Sequence, residues 1–207
     1  MFEEVLDQRA QSVLEALGRT ESVRPFYLAG GTALALHMGH RYSLDFDWFT
    51  EREFDPGVLQ KQLAKLPQFN VISRTEGSLI VEIERIESSF FQLECPLLKP
   101  AIPYKGISIA SLQDILCMKL AALWQRGAKR DYVDIYFGIR KAVSLNELLD
   151  LMKKKYSEFA FSEYHCLRSL SFFDDVADEP MPRMREDVSW DEVKAYLTEE
   201  SRRFLGL

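Results

Sequence analysis

The stretch "FYLAGGTALALHMGHRYSLDFDWFT", residues 26–50, decides how the first half of the chain is read. Phe26–Ala29 is short, aromatic and apolar, as a buried strand is, and Gly30-Gly31 interrupts it. Thr32–Met38 suits a short helix with Thr32 as its cap. Residues 43–50 then alternate in the manner of a strand, where side chains two apart share a face. Asp45 and Asp47 are therefore expected to project together, about 7 Å apart at roughly 3.3 Å per residue. Leu44, Phe46 and Trp48 are expected to pack on the other face. That division accounts for two acids inside an apolar run.

Outward from this stretch, residues 2–18 carry apolar residues at helical spacing, and Gly18 acts as a stop. Asp55 and Pro56 open a helix to about Leu66, with Asp55 as N-cap and Pro56 in the first turn. Three strand-like runs follow, Phe69–Arg74, Leu79–Ile86 and Ser89–Cys95, with turns at Glu76-Gly77 and Glu87-Ser88. Pro96, Pro100 and Pro103 mark an irregular connection, and Gly106–Ile109 reads as a last short strand. Ser111 and Asp114 resemble a capping box opening a helix that runs to Trp124. Further helices are expected near 130–141, 144–155, 161–171 and 189–205, with a loop at 174–187. The pattern predicts an α+β fold: a mixed sheet with flanking helices over residues 1–110, followed by a helical half over 111–207.

At 207 residues the chain can bury a proper core, and 47% hydrophobic with 28% charged residues is ordinary globular composition. A net charge of −6 argues against sequence-blind coating of nucleic acid or of an anionic membrane, although a small local basic site remains compatible with it. Cys95, Cys117 and Cys166 fit neither a disulfide framework nor a zinc spacing and read as reduced thiols. The acidic N-terminus has no signal-peptide pattern, and no run reaches the roughly 18 apolar residues of a membrane span. A soluble cytoplasmic protein is the expectation.

Two carboxylates on one strand face can hold hard divalent cations. Magnesium takes oxygen ligands and binds through one or two carboxylates plus substrate phosphates. A glycine pair between strand and helix lets backbone approach a ligand and presents amides to phosphate, although most such pairs are only tight turns. Glu94, at the end of "SFFQLEC", is the candidate third acid; its alternative is an ordinary solvated strand end. Lys119 lies in the apolar "ILCMKLAALW", where a lysine either snorkels to solvent or meets an anion. Arg126, Lys129 and Arg130 form a local basic patch, equally explicable as cations at a helix C-terminus. Asp131 and Asp134 lie three apart on one helix face and can pair with those cations. His40 and Arg41 precede the acidic strand and could reach a ligand there; the alternative for the histidine is a loop-stabilising hydrogen bond. The histidines at 37, 40 and 165 are too dispersed for a metal cluster.

"GGTALALHMGHRYSLDFDWF" resembles the first motif of the AbiEii/AbiGii-type nucleotidyltransferase toxins, within the DNA polymerase β-like nucleotidyltransferase superfamily. "SLQDILCMKLAALWQRGAKRDYVDIYFGIRK", residues 111–141, is similar to the family's later helical segment, and the two in this order are specific. The resemblance implies a nucleotidyltransferase-like sheet and an NTP substrate. It implies that Asp45 and Asp47 hold magnesium or manganese, with Glu94 at the third acid's place and one methylene longer than the usual aspartate. Gly30, Gly31 and Thr32 would lie against the nucleotide phosphates, joined by His40, Arg41, Arg126, Lys129 and Arg130. Lys119 matches the lysine expected at phosphate, and Asp131 and Asp134 match the downstream acids.

The implied reaction is two-metal transfer of a nucleoside monophosphate to an acceptor hydroxyl, with loss of pyrophosphate. The implied acceptor is RNA, tRNA included, or a protein. The implied role is the toxin of a toxin–antitoxin or phage-defence pair, with a cognate antitoxin as partner and no membrane. Two alternatives share these residues: a small-molecule, antibiotic-type nucleotidyltransferase, and a catalytically impaired toxin-like binding module.

Overall fold

The computed structural model describes residues 1–125, 127–157 and 161–206. They form two compact units, Met1–Ser111 and Leu112–Leu207.

The first unit is built on seven strands: β1 Tyr27–Ala29, β2 Phe46–Thr50, β3 Asn70–Thr75, β4 Ser78–Ile83, β5 Ile86–Gln92, β6 Ile102–Tyr104 and β7 Ile107–Ile109. Their order across the sheet is β3-β4-β5-β2-β1-β7-β6. β1 runs antiparallel to β2 and parallel to β7, and β2 runs parallel to β5, so the sheet is mixed. Three helices accompany it, α1 Gln8–Gly18, α2 Gly30–Met38 and α3 Pro56–Leu63. Asp7 caps α1 by accepting from the Ala10 amide, which is why the helix begins at Gln8 rather than near residue 2. Asp55 caps α3 as expected, accepting from the Gly57 and Val58 amides. The core lies on the face carrying Phe46 and Trp48, where the Trp48 and Phe90 rings stack at 5.9 Å. Leu44 departs from the expected alternation: it precedes β2 and is exposed, so only Phe46 and Trp48 supply the core side.

Two turns differ from the sequence reading. The β4–β5 hairpin turns at Glu84-Arg85, both at positive φ (49° and 64°), instead of at Glu87-Ser88. Neither residue is a glycine or asparagine, so the chain carries no turn signal there. The proline-rich segment includes a real strand: β6 contains Pro103 and pairs with β7 at the sheet's edge, where a missing amide donor is tolerated.

The second unit is helical: α4 Leu112–Gln125, α5 Lys129–Lys141, α6 Leu145–Lys155, α7 Glu163–Leu170 and α8 Trp190–Leu205. Ser144 and Glu147 make a complete capping box on α6. The Asp114 carboxylate pairs with Lys155 Nζ at 2.8 Å, and both side chains are fully buried. Lys119 Nζ lies 2.7 Å from Asp131 and 2.8 Å from Asp134. Charged pairs thus cross the α4–α5 and α4–α6 contacts, where solvation is lost and only a partner in reach offsets its cost.

Removing one member of the Asp114–Lys155 pair leaves a buried charge. Asp114→Ala is expected to lower the unfolding free energy by about 3–5 kcal/mol, and the double change Asp114→Leu/Lys155→Met to recover most of it. Urea denaturation of the full chain measures both. In the first unit His37 Nε2 contacts the Ala110 carbonyl at 2.9 Å. Burial lowers its pKa, the carbonyl contact opposes this, and the N-terminal charge adds a small lowering. The unfolded chain therefore takes up this proton first as pH falls below about 6.5, and stability drops. His37→Gln should shrink that acid-side loss, read as the difference in unfolding free energy between pH 7 and pH 5.5.

Candidate active site

The β1–α2 turn and the start of β2 meet without a side chain between them. Gly30 has φ +66°, and a Cβ there would stand 2.1 Å from Asp47 Oδ2. A Cβ on Gly31 would stand 2.4 Å from an Arg41 guanidinium nitrogen. The glycine pair is therefore required twice over: once for a left-handed backbone, and at both positions for close approach of a charged group. α2 begins at Gly30 itself, with no side chain capping it. Its first-turn amides are of the kind that lack intrahelical acceptors and favour an anion.

Thr32 has a different place from the one expected. It is fully buried inside α2 instead of capping it, and its hydroxyl contacts the Asp45 carbonyl and, at 2.8 Å, Ser43 Oγ. A hydroxyl has one proton, so donation to the carbonyl leaves the second contact to be donated by Ser43. Thr32 thus holds the loop that delivers Asp45. His40 is also fully buried, which removes it from a solvent-facing ligand. Arg41 is buried too, packed on Gly31 and donating to the Tyr42 carbonyl at 3.1 Å.

Asp45 is exposed and stands one residue before β2; Asp47 is half-buried within it. The parallel neighbour β5 sets Ser89 at the level of Asp47 and Ser88 at the level of Phe46. Glu87 precedes Ser88 on β5 as Asp45 precedes Phe46. Gln92 pairs with Thr50 at the far end of β2, and Glu94 lies beyond it, exposed, five residues or about 16 Å along the strand from Ser89. The strand register therefore does not bring Glu94 beside Asp47; the Glu84-Arg85 turn starts β5 three residues earlier than its sequence suggests. Among the described residues no three His, Cys, Asp or Glu side chains form a group able to hold a metal ion. The face shared with Asp47 continues into an aromatic row, Tyr27–Phe49 at 6.1 Å and Phe49–Phe91 at 5.7 Å.

The helical unit engages two of its expected cationic residues, Lys119 and Lys129, within itself. Lys119 is held by Asp131 and Asp134, so the partner that its apolar surroundings demanded comes from α5. Lys129, expected at a nucleotide, is buried: its Nζ donates to the Ala177 carbonyl at 2.9 Å and to the Glu179 carbonyl, and it lies 5.1 Å from the Trp190 ring centre. It anchors the 174–187 loop. Arg130 is exposed. Arg126 lies outside the described residues. Ser43, Glu87 and Ser89 were not foreseen; the signal for Glu87 and Ser89 is strand register, which a single sequence exposes only once the turn is known.

A family model described as "Nucleotidyl transferase AbiEii toxin, Type IV TA system" matches residues 12–96 and 92–205. An uncharacterized protein of Aquifex aeolicus, aq_aa25, is 37% identical over 209 residues, covering 97% of this chain and 98% of that one. Among solved structures, the nucleotidyltransferase toxin MenT4 of Mycobacterium tuberculosis is similar with a TM-score of 0.64 at 16% identity, over 96% of this chain and 83% of that one. ANT(2″)-Ia, in complex with adenylyl-2″-tobramycin, is similar with a TM-score of 0.55 at 14% identity, over 73% of this chain and 99% of that one. At these identities the two structures show a shared fold.

Gly30→Ala tests the approach of turn and acid. The left-handed backbone alone should cost about 1–2 kcal/mol, and the new methyl must displace Asp47. The expected result is a lower urea midpoint with an activity loss larger than that of an equally destabilised core variant.

Proposed function

The chain belongs to the AbiEii nucleotidyltransferase toxin family and is a nucleotidyltransferase; from that premise we propose that it transfers a nucleoside monophosphate from an NTP to an RNA acceptor, at a site formed by the β1–α2 turn and the Asp45-Phe46-Asp47 segment. The observation that carries this reading is the glycine cradle: Gly30 is cut away where the Asp47 carboxylate stands. A turn that had only to reverse the chain would not need that clearance.

The donor set suits a hard divalent cation, since an exposed and a half-buried carboxylate together offer four oxygens beside a helix N-terminus. Asp45 and Asp47 would hold magnesium or manganese, which supplies neutralisation of triphosphate charge when bound. The chain's own groups do the rest. The first-turn amides of α2 orient phosphate oxygens. Thr32 and Ser43 fix the loop, so that Asp45 stays in place at little entropic cost during the reaction. Glu87, one residue before Ser88 on β5, would accept the acceptor hydroxyl's proton. The hydroxyl oxygen bonds to the α-phosphorus, the bond to the β-phosphate's bridging oxygen breaks, and pyrophosphate leaves. Lys119, between Asp131 and Asp134, supports the helical unit as a positioning residue.

The family makes a toxin of a toxin–antitoxin or phage-defence pair the biological setting we propose, in the cytoplasm and with a cognate antitoxin. No helix among the described residues is long and apolar enough to cross a membrane.

The test is incorporation. Purified chain, magnesium, each α-labelled NTP and total cellular RNA or protein should yield a labelled RNA. Asp45→Ala and Asp47→Ala should each lower the rate by about a thousandfold, as expected for several kcal/mol of lost charge stabilisation, and Glu94→Ala should leave it near the parent's. Full activity in both aspartate variants contradicts the site. Labelled protein or a labelled small molecule in place of RNA contradicts the acceptor.

A further inference from the structure

The helical unit contains a cavity that the proposed chemistry does not use. Its volume is about 430 Å³, and it opens between the end of α4, α7 and the segment after α7. That size falls within the range of small-ligand sites. Its walls are of two kinds. Trp124 and His165 lie nearly parallel, 6.4 Å between ring centres and 29° between planes, with Phe161 edge-on to Trp124 at 6.3 Å. Arg168, one turn along α7 from His165, and Asp175 supply charge of both signs. His165 and Arg168 are exposed, and among the described residues the Arg168 guanidinium makes no ion pair or hydrogen bond. The Tyr132 hydroxyl, by contrast, is already engaged, donating to the Phe172 carbonyl with the Ser169 carbonyl 3.2 Å away.

A structural cavity has no need of an exposed histidine on an indole and an exposed guanidinium beside it. The combination is that of a nucleotide whose base is out of the helix: aromatic faces for the base, a cation for its phosphate, a carboxylate able to accept from a ribose hydroxyl or an exocyclic amine. An apolar protein anchor would leave Arg168 and Asp175 without use, and a folded duplex would hide the base faces. We infer that this cavity binds an unpaired nucleotide of the acceptor RNA, with its base on Trp124 and His165 and its phosphate on Arg168. The inference takes from the proposed function only that the acceptor is RNA. One guanidinium engages one phosphate, which suits a chain with a net charge of −6: contact is local and stacking carries it.

The test is binding, measured without NTP or magnesium so that it does not depend on transfer. A fluorescein-labelled 12-nucleotide single-stranded RNA of mixed sequence is titrated with the full chain and followed by anisotropy. AMP, CMP, GMP and UMP, and the same RNA annealed to its complement, serve as competitors. The expected result is that the single strand binds at least tenfold more tightly than its duplex or any mononucleotide. His165→Ala, Arg168→Gln and Trp124→Ala should each weaken it by about 5- to 150-fold, the range for loss of one stacked base or its cation. His165 and Arg168 are exposed, so their variants should keep the parent's thermal midpoint even if Trp124→Ala does not. Asp47→Ala should bind the RNA as the parent does while failing to transfer, which separates the two readings. Unchanged affinity in both His165→Ala and Arg168→Gln overturns the inference, as does a mononucleotide competing as well as the strand, which would place a free nucleotide there.

Discussion

The structure of the first unit depends on backbone lying directly against charge. Gly30 and Gly31 bring the start of α2 against the Asp47 carboxylate and the Arg41 guanidinium at distances that no side chain would permit. Around that contact the remaining parts are fixed in turn. β1 pairs with β2 so that Ala29 stands opposite Asp47, and Thr32 reaches across to Ser43 and the Asp45 carbonyl. The Trp48–Phe90 stack holds β2 to β5 on the opposite face. A small apolar core thus carries an acid pair at its surface, with the burial on one face offsetting the cost of gathering carboxylates on the other.

The helical unit solves a different problem with similar means. α4 is apolar almost all round, yet it buries Asp114 and Lys119, each matched by an opposite charge from α6 or α5. Such pairs add less stability than apolar contacts of equal size, but they penalise every helix arrangement that separates them. They specify which helices meet. Lys129, closed over by two carbonyls and Trp190, does the same for the loop before α8.

How much of this was legible in the sequence follows from which signals are local. Alternation across residues 43–50 identified the face of Asp47, and the capping pattern at Asp55-Pro56 placed α3, because both depend on neighbours in the chain. The glycine pair was visible as a break, but its reason, the approach of Asp47 and Arg41, lies between elements. The β4–β5 turn was misplaced because Glu84 and Arg85 adopt positive φ without glycine or asparagine. Thr32, His40 and Lys129 are residue types that often meet ligands, and their burial was not visible in the sequence. The partner of Lys119 was foreseen as an anion, while its identity required the fold.

The central claim is nucleotidyl transfer at the Asp45/Asp47 site, and the position of the label in the donor tests it most directly. Parallel reactions with α-labelled and γ-labelled NTP, magnesium and cellular RNA would be compared for acid-insoluble label, with Asp47→Ala as control. The account predicts that α-label alone enters RNA and γ-label is released as pyrophosphate, both in the parent and not in the variant. Transfer of γ-label to the acceptor, or α-label incorporation that survives Asp47→Ala, would contradict it.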